Sequence, residues 1–506
     1  MGSNTVSARI AKLDHLVRAM FCAPGRNRTY DRQIRRLLLY PLSYGGRKRR
    51  PLRTGRLAHH CSAGSVGRAS SYAMKGLGRF ARVSDIPGSD GLPSGLHERN
   101  PELARLRSIV VPVYGPTILV AIGQGAILPL VALSARALGA SVGTAAFVVA
   151  LIGLGQLIGD LPAGALAARI GEQRALIAAC VLDAVALLGA FLAQSVIVLA
   201  VAITVTGLAN AVFGLARHAY LTEAIPIPFR ARALSTLGGT FRIGLFIGPF
   251  IAAAIVTRWS IGAAYAFAAT MSIAAAILLA FLPDVTASRH ITAAREPRRH
   301  RSVISVLAEH RHILLTLGIG ILAISAARAT RQSIVPLWAE SIGVDAATTA
   351  VIFGISAGVD MLLFYPGGAI MDRFGRVYVA VPTMIVLGLG FVLLPLTSGP
   401  TSVGLVAALM GLGNGISAGI VLTLGADAAP PEDRAQFLGG WRVCSDLGNA
   451  AGPLVISAVS ALASLAVAAV TMGVLTWAGS GWLIKWVPKY APRRGQQREG
   501  REAQEP

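Results

Sequence analysis

From Ile109 onward, apolar segments of about 20 residues or more alternate with short polar breaks. A helix needs about 20 predominantly apolar residues to cross a bilayer, so this pattern predicts membrane-spanning helices. The twelve predicted spans are 109–133, 142–168, 173–194, 197–219, 233–256, 260–283, 312–338, 346–371, 376–398, 402–425, 436–459 and 462–486. The expected fold class is an all-α membrane protein with twelve transmembrane helices in two pseudo-symmetric six-helix bundles.

The second six spans repeat the first six. An offset of 204 maps "GLAN" (Gly207–Asn210) onto "GLGN" (Gly411–Asn414) and "GLFIGP" (Gly244–Pro249) onto "GNAAGP" (Gly448–Pro453). The first and seventh spans match instead at an offset of 207, through "ILPL" and "IVPL", and we expect an outer loop to absorb this slip. Internal repeats of membrane spans are typical of transporters.

The repeat divides the chain into domains. We expect a basic arm over 1–108, an N-terminal six-helix bundle over 109–283, a basic cytoplasmic connector over 284–311, a C-terminal bundle over 312–486 and a tail over 487–506. The chain is 54% hydrophobic and 14% charged, against about a quarter charged in soluble domains. The composition therefore requires a bilayer.

The distribution of basic residues predicts the orientation. One side of the predicted spans carries the connector, the tail and Arg169, Arg174, Arg230, Arg232, Arg373, Arg376 and Arg434, whereas the other side carries Arg136 and Arg258. Lysine and arginine accumulate on the cytoplasmic side of a membrane protein. Both termini and the connector are therefore expected in the cytoplasm, with the protein in a bacterial inner membrane.

The N-terminal arm holds 21 Lys and Arg against 6 Asp and Glu in residues 1–108, and we expect it to be disordered. Its basic clusters could also suggest nucleic acid, but no nucleic-acid partner is expected. The stretch Ala23–Gly46 resembles the translated complement of a tRNA gene. That resemblance favours a start at Met74, with residues 1–73 untranslated.

Charged and polar residues inside the predicted spans are the candidate functional residues, because intramembrane charge is costly and usually functional. The candidates for the cavity or substrate are Gln124, Asn210, Arg328, Arg331 and Asn414. The charged candidates for coupling or for the interface between bundles are Asp160, Arg242, Asp360, Arg442 and Asp446. Arg328 and Arg331 suit anionic groups or a conformational ion pair. The alternative is that their side chains only extend to the membrane surface. Asp183 is equally a structural residue or a proton carrier.

Two loops resemble the motif of the major facilitator superfamily: "GALAARIGEQR" (Gly164–Arg174) and "GAIMDRFGRVY" (Gly368–Tyr378). This resemblance covers residues 109–486 and implies two bundles that rock about a central cavity. The implied gating residues are Gly164, Arg169, Gly171, Gly368, Asp372, Arg373, Gly375 and Arg376. The motif's aspartate is replaced by Ala168 in the first loop, so only the second latch is expected to be intact.

The resemblance also implies which spans meet. Spans 5 and 8 would be neighbours, and residue rise places Arg242 and Asp360 at similar depth. Spans 2 and 11 would bring Asp160 to Arg442, with Asp446 one turn beyond it to share the arginine or carry a proton. A lone charge in hydrocarbon costs several kcal/mol, so we predict two ion pairs between the bundles.

These patterns favour a monomeric secondary transporter, and proton-coupled efflux of small amphipathic compounds is the expected activity. The alternatives are a metabolite uptake symporter of the same fold and a non-transporting membrane receptor or partner protein. No nucleotide-binding loop of the GxxxxGK[ST] type occurs in the sequence. We expect no catalytic constellation, cofactor or metal site, with a small molecule, protons and the lipid bilayer as partners.

Overall fold

The computed structural model describes residues 101–225, 227–282, 303–417, 419–430 and 432–490, and no strand occurs within these ranges. The first half contains α1 (Pro101–Ile127), α2 (Val131–Ala137), α3 (Val142–Ile170), α4 (Glu172–Phe191), α5 (Val196–Ala224), α6 (Ile227–Arg258) and α7 (Ile261–Phe281). The second half contains α8 (Val303–Glu309), α9 (Arg311–Ile313), a π-helical turn (Leu314–Gly318), α10 (Ile319–Ser341), α11 (Ala346–Phe374), α12 (Val377–Leu393), a 3₁₀ turn (Leu394–Leu396), α13 (Pro400–Ile416), α14 (Ile420–Ala428), α15 (Arg434–Leu462) and α16 (Leu465–Tyr490).

The protein is an all-α membrane protein. In the described part of the chain, ten helices are long and apolar enough to cross a bilayer, and the bent pair α1 and α2 gives an eleventh when counted as one span. The eleventh predicted span corresponds to α15, which has 29 residues. Arg442, Asp446 and Asn449 reduce the hydropathy of α15.

Several predicted boundaries are wrong. Residues 101–108, expected in the arm, begin α1, because Pro101 suits a first helical position and good helix formers follow it. The end of the predicted connector forms α8, since Val306 is fully buried. The predicted tail begins too early because α16 continues to Tyr490. Residues 1–100, 283–302 and 491–506, including the proposed start at Met74, lie outside the described residues.

The tenth predicted span, 402–425, is divided between α13 and α14. The break follows a run of glycines at Gly411, Gly413 and Gly415, with Gly419 just beyond it. Glycine is about 1 kcal/mol less favourable than alanine in a helix interior. The sequence of this span therefore weakens the helix where α13 ends.

The internal repeat appears in the backbone. The described residues with positive φ are four glycines, Gly139, Gly171, Gly343 and Gly375, and the second pair follows the first at the same 204-residue offset. We name the two ends of the molecule the Gly139 end, which also holds Gly343, and the Gly171 end, which also holds Gly375. Equivalent turns therefore terminate equivalent spans in both halves.

The helix caps at the Gly139 end also repeat. Ser141 caps α3 by accepting the backbone N–H of Thr144 at 3.1 Å. Asp345, at the equivalent position, caps α11 by accepting the N–H of Thr348 at 2.9 Å. Hydrogen bonds from the Thr348 side chain and backbone hold the pKa of Asp345 below its usual value. The equivalent helices α3 and α11 thus begin with the same capping geometry, made by a hydroxyl in the first half and by a carboxylate in the second.

The three-residue slip between the first and seventh spans was predicted in an outer loop, and it lies instead in a helix. The offset is 207 up to Leu130 and 204 from Arg136, so the extra residues fall within α2. This helix follows the end of α1 at Ile127 with a bend of 41°. Pro129 falls in the break, but the equivalent Pro336 lies inside the continuous helix α10, so proline alone does not explain the bend.

Small residues allow the helices to pack closely, which matters in lipid because packing replaces the hydrophobic effect. A Cβ on Gly207 would lie 2.3 Å from the carbonyl oxygen of Ile152, and a Cβ on the equivalent Gly411 would lie 2.3 Å from that of Ser356. Between the halves, α3 packs on α15 and α6 packs on α11. A Cβ on Gly153 of α3 would lie 2.6 Å from the backbone nitrogen of Ala450 of α15.

Candidate functional site

A cavity of about 210 Å³ lies among α1, α3, α5, α6, α10 and α15. Its polar lining consists of one hydroxyl and five amide side chains, those of Thr206, Gln124, Gln156, Asn210, Gln332 and Asn449. The remaining lining is apolar or glycine and includes Ile203 and Phe241, and no charged side chain belongs to it. This combination suits a small molecule with both apolar and hydrogen-bonding parts.

Two of the predicted cavity residues meet inside this cavity. The Gln124 Nε2 donates to the Asn210 Oδ1 at 2.5 Å, linking α1 to α5. Asn414 lies elsewhere, and its Nδ2 donates to the Asp360 Oδ2 at 2.6 Å. Gln332 and Asn449 also line the cavity and were not among the predicted cavity residues, although both are amides within predicted spans.

A cluster of three charges joins α3 to α15. The Arg442 Nη2 lies 2.9 Å from the Asp160 Oδ1, and the Arg442 Nε lies 3.5 Å from the Asp446 Oδ2. The two aspartate side chains are 7% and 10% exposed, whereas that of Arg442 is 34% exposed. Asn449, which lines the cavity, donates to the Asp446 Oδ1 at 3.2 Å. The cavity and the charge cluster are therefore connected by one hydrogen bond.

A second ion pair joins α6 to α11. Arg242 donates through Nη1 to the Asp360 Oδ1, and the two side chains are 17% and 12% exposed. The Arg242 Cζ lies 5.0 Å from the centre of the Phe364 ring. The structure thus brings Arg242 and Asp360 together, as the order of the spans and the depth of the two residues indicated. Asn414 donates to the other carboxylate oxygen of Asp360.

Arg328 and Arg331 lie on α10 near this second pair, and neither lines the cavity. The Arg328 Nη2 donates to the carbonyl oxygen and hydroxyl of Ser417 at 2.5 and 2.7 Å. The Arg331 Nη1 donates to the Ser356 Oγ at 2.7 Å. Both guanidinium groups interact electrostatically with Asp360, and both Nε atoms are buried without a hydrogen-bond partner.

Arg217 of α5 is a half-buried charge that was not among the predicted site residues. Its Cζ lies 5.6 Å from the centre of the Phe213 ring and 5.1 Å from that of Phe241. Its Nε and Nη1 are buried and have no hydrogen-bond partner. The signal was available, since Arg217 falls within the predicted fourth span, two residues before its end.

The predicted gating loops lie at the Gly171 end. Gly164 and Gly368 face open space, and Arg169 and Asp372 are exposed. No ion pair between described residues includes Asp372. The Arg373 Cζ lies 5.3 Å from the centre of the Phe374 ring.

Arg376 in the second loop makes an ion pair within its own half. The Arg376 Nε lies 2.7 Å from the Asp427 Oδ2, and the side chains are 21% and 31% exposed. At the Gly139 end, an ion pair instead crosses between the halves, with the Arg136 Nε 3.0 Å from the Glu340 Oε2. The halves are therefore joined by charge at the Gly139 end, while Asp372 is left open to solvent at the Gly171 end.

Asp183 is held by a hydroxyl group within the first half. The Ser272 Oγ donates to the Asp183 Oδ2 at 2.6 Å, within the interface of α4 and α7. Asp183 is thus held within one half, away from the interface between halves. Within the described ranges, no group of His, Cys, Asp and Glu is arranged to hold a metal ion.

Comparison with known proteins gives a family and a fold. The family model described as Major Facilitator Superfamily matches residues 116–453. The solved structure of the nucleoside transporter NupG is similar, with a TM-score of 0.64, 12% identity, and coverage of 74% of this chain and 99% of that one. A POT family transporter in complex with a thioalcohol-conjugated peptide has a TM-score of 0.63 at 11% identity, covering 75% and 96% of the two chains. Among curated protein sequences, none matches this chain.

Proposed function

Because this chain belongs to the major facilitator superfamily, a family of transporters, we propose that it is a proton-coupled secondary transporter of small amphipathic compounds that works by alternating access. The cavity supports the substrate class, because its lining combines five amides with apolar side chains. The proposed orientation places the Gly171 end and both termini in the cytoplasm, following the excess of arginine at that end.

The observation that carries proton coupling is the sharing of Arg442 by two carboxylates from different halves. One guanidinium compensates one carboxylate, so a second buried carboxylate is stabilised by binding a proton. Asp446 is the proposed proton carrier, because it lies 3.5 Å from the guanidinium while Asp160 lies 2.9 Å from it. Its hydrogen bond from Asn449 links the proton to the occupancy of the cavity.

The ion pairs also support alternating access. Arg136 and Glu340 hold the Gly139 end together, and the Asp372 latch is exposed at the other end. In the proposed orientation, this arrangement corresponds to a cytoplasm-facing state. Closure of the Gly171 end would then give Asp372 a partner and break the contact between Arg136 and Glu340.

Export is the proposed direction. Amphipathic compounds partition into lipid and enter cells without a carrier. A transporter is therefore needed to remove them against their gradient rather than to admit them. Uptake by symport is a second candidate, and Arg217 favours it for acidic substrates. Arg217 interacts electrostatically with Arg442, so protonation of Asp446 would leave excess positive charge beside both arginines. Proton and anion would then bind together rather than in competition.

The test uses the full chain in proteoliposomes that contain a pH-sensitive dye. A panel of amphipathic compounds is added, and compounds that move protons are then followed under an imposed pH gradient of either sign. Asp446→Asn should abolish gradient-driven transport but retain exchange of labelled for unlabelled compound. Asp183→Asn, a buried aspartate outside the interface, is the matched control and should remain coupled.

Each outcome bears on the proposal. Proton movement opposite to the compound supports export by antiport, and movement in the same direction supports symport. Gradient-driven transport by Asp446→Asn at the rate of the unchanged protein would contradict the assignment of Asp446. No transport of any panel compound in vesicles whose protein is correctly folded would contradict the proposed substrate class.

A further inference from the structure

The charges around the interface between the halves do not balance. The described arginines at membrane depth in this region are Arg217, Arg242, Arg328, Arg331 and Arg442, and the described aspartates are Asp160, Asp360 and Asp446. The aspartates form ion pairs within 4.0 Å with Arg242 and Arg442. In the part of the chain that the structure describes, the other three arginines have no carboxylate within that distance.

Arg217 lies directly beneath the cavity. It follows Asn210, a cavity residue, by seven residues on α5, a spacing that puts both on one helix face about 10 Å apart. Phe241, over which the guanidinium lies, also lines the cavity. A half-buried arginine with two buried, unpartnered nitrogen atoms is therefore placed between the cavity and the Gly171 end along α5.

Arg328 lies in the other half, also on the Gly171 side of a cavity residue. It precedes Gln332, a cavity residue, by four residues on α10, and residues with this spacing share a helix face. Its Nη2 is fixed by Ser417, which leaves the buried Nε without a partner. Arg331 lies further round the helix, where its Nη1 is bound by Ser356.

Stacking on aromatic rings leaves the hydrogen bonds of Arg217 unmade. The rings of Phe213 and Phe241 interact with the charge of the guanidinium but offer no acceptor in the plane of its N–H groups. An arginine can donate five hydrogen bonds, and the Nε and Nη1 of Arg217 have no partner. An oxyanion ligand would supply the missing acceptors, since arginine pairs with carboxylate and phosphate through two parallel hydrogen bonds.

We propose that Arg217 and Arg328 form a subsite for an acidic group of the transported molecule, so that the substrates are small amphipathic organic anions with a carboxylate or phosphate. The apolar part of the molecule occupies the amide-lined cavity, and its acidic group lies toward the Gly171 end. This inference rests on the proposed transport function in its symport form, but binding of the anion does not depend on proton coupling.

The experiment measures equilibrium binding to the purified full chain by isothermal titration calorimetry. The probes share one ring system and differ in the polar group: 2-naphthoate, 2-naphthyl phosphate and the neutral 2-naphthamide. At least one of the two anions should bind ten-fold or more tightly than the amide. The stronger anion identifies whether the subsite prefers a carboxylate or a phosphate.

Variants then locate the subsite. Arg217→Gln and Arg328→Gln should each weaken binding of the stronger anion at least ten-fold and leave binding of 2-naphthamide within two-fold. Arg217→Lys keeps the charge but loses the planar pair of donors, so it should weaken anion binding three-fold or more. Arg258→Gln, an exposed arginine at the Gly139 end of α6, is the matched control and should bind all probes normally.

Equal affinity for the anions and the amide would overturn the proposal, as would unchanged anion binding by both Arg217 variants. If Arg217→Gln fails to fold, the Arg217→Lys and Arg328→Gln variants decide the question by the same criteria. Anion binding without any proton-driven transport would instead contradict the proposed coupling and leave the subsite intact. The two proposals therefore fail in different measurements.

Discussion

The pair formed by Arg242 and Asp360 is expected to respond unequally to removal of its two members. Asp360→Asn removes a carboxylate that interacts with all three guanidinium groups of Arg242, Arg328 and Arg331. Arg242→Gln removes one cation and leaves Asp360 with two others nearby and with the hydrogen bond from Asn414. The aspartate variant should therefore be the more damaging one.

The magnitudes follow from burial and from the number of partners. Removing one member of a buried ion pair costs about 3–5 kcal/mol, and the Asp360 side chain is 12% exposed. We expect Asp360→Asn to lower the free energy of unfolding by about 4 kcal/mol on this basis. Arg242→Gln should lower it by about 2 kcal/mol, the contribution of one hydrogen bond to a charged group.

Unfolding of the purified protein by SDS in mixed micelles measures both losses. The double variant Arg242→Gln with Asp360→Asn should lose at least about 1 kcal/mol less than the sum of the single losses, because the two residues interact directly. The exposed pair of Arg376 and Asp427 provides the control, and its neutralisation should cost at most about 1 kcal/mol. A larger loss for Arg242→Gln than for Asp360→Asn, or strict additivity, would refute the reasoning.

Three further predictions concern the interface, the latch and a helix cap. Gly153→Ala should reduce transport at least ten-fold, because the new Cβ would lie 2.6 Å from the backbone of α15, whereas Gly481→Ala on α16, where a Cβ would meet no atom within 4 Å, should transport normally in the same vesicle assay. Asp372→Asn should increase the population of the cytoplasm-facing state and slow turnover, while Ala168→Asp should change that population little. Labelling of introduced cysteines from each side of the membrane measures the population. Equal labelling of the unchanged protein and Asp372→Asn would count against the latch. Asp345→Ala should lower the free energy of unfolding at pH 7 by about 1 kcal/mol, and because the folded-state pKa of Asp345 is lowered, this difference should shrink as the pH falls below about 4.

Hydropathy and the internal repeat could predict most of the fold. Long apolar segments constrain helices strongly, since backbone groups in lipid must bond within their own segment. The helix ends were predicted less well, because residues such as those at 101–108 and 487–490 continue a helix without being apolar. Pro129 was visible in the sequence, but its effect on the first span depends on the neighbouring helices.

The candidate site was less predictable because hydropathy does not fix how a helix is rotated. Depth along the helix indicated the partners of Arg242 and Arg442, since rise per residue is constant. Which amides face the cavity depends on rotation, and for this reason Gln332 and Asn449 were not predicted there, while Asn414 lies against Asp360 instead. Arg217 was missed because it lies close to the end of its predicted span, where an arginine usually reaches the lipid headgroups.

The contact between Arg136 and Glu340 has a consequence for the ancestry of the protein. Each residue lies three positions before its turn glycine and accepts that glycine's N–H, at 2.9 and 3.0 Å, so the two occupy the same position in the repeat. An assembly of two identical six-helix chains would place like charges opposite each other here, which is repulsive. Opposite charges at one self-facing position require two sequences that have diverged. If the halves were separated into two polypeptides, each should therefore select the other half as its partner rather than a copy of itself.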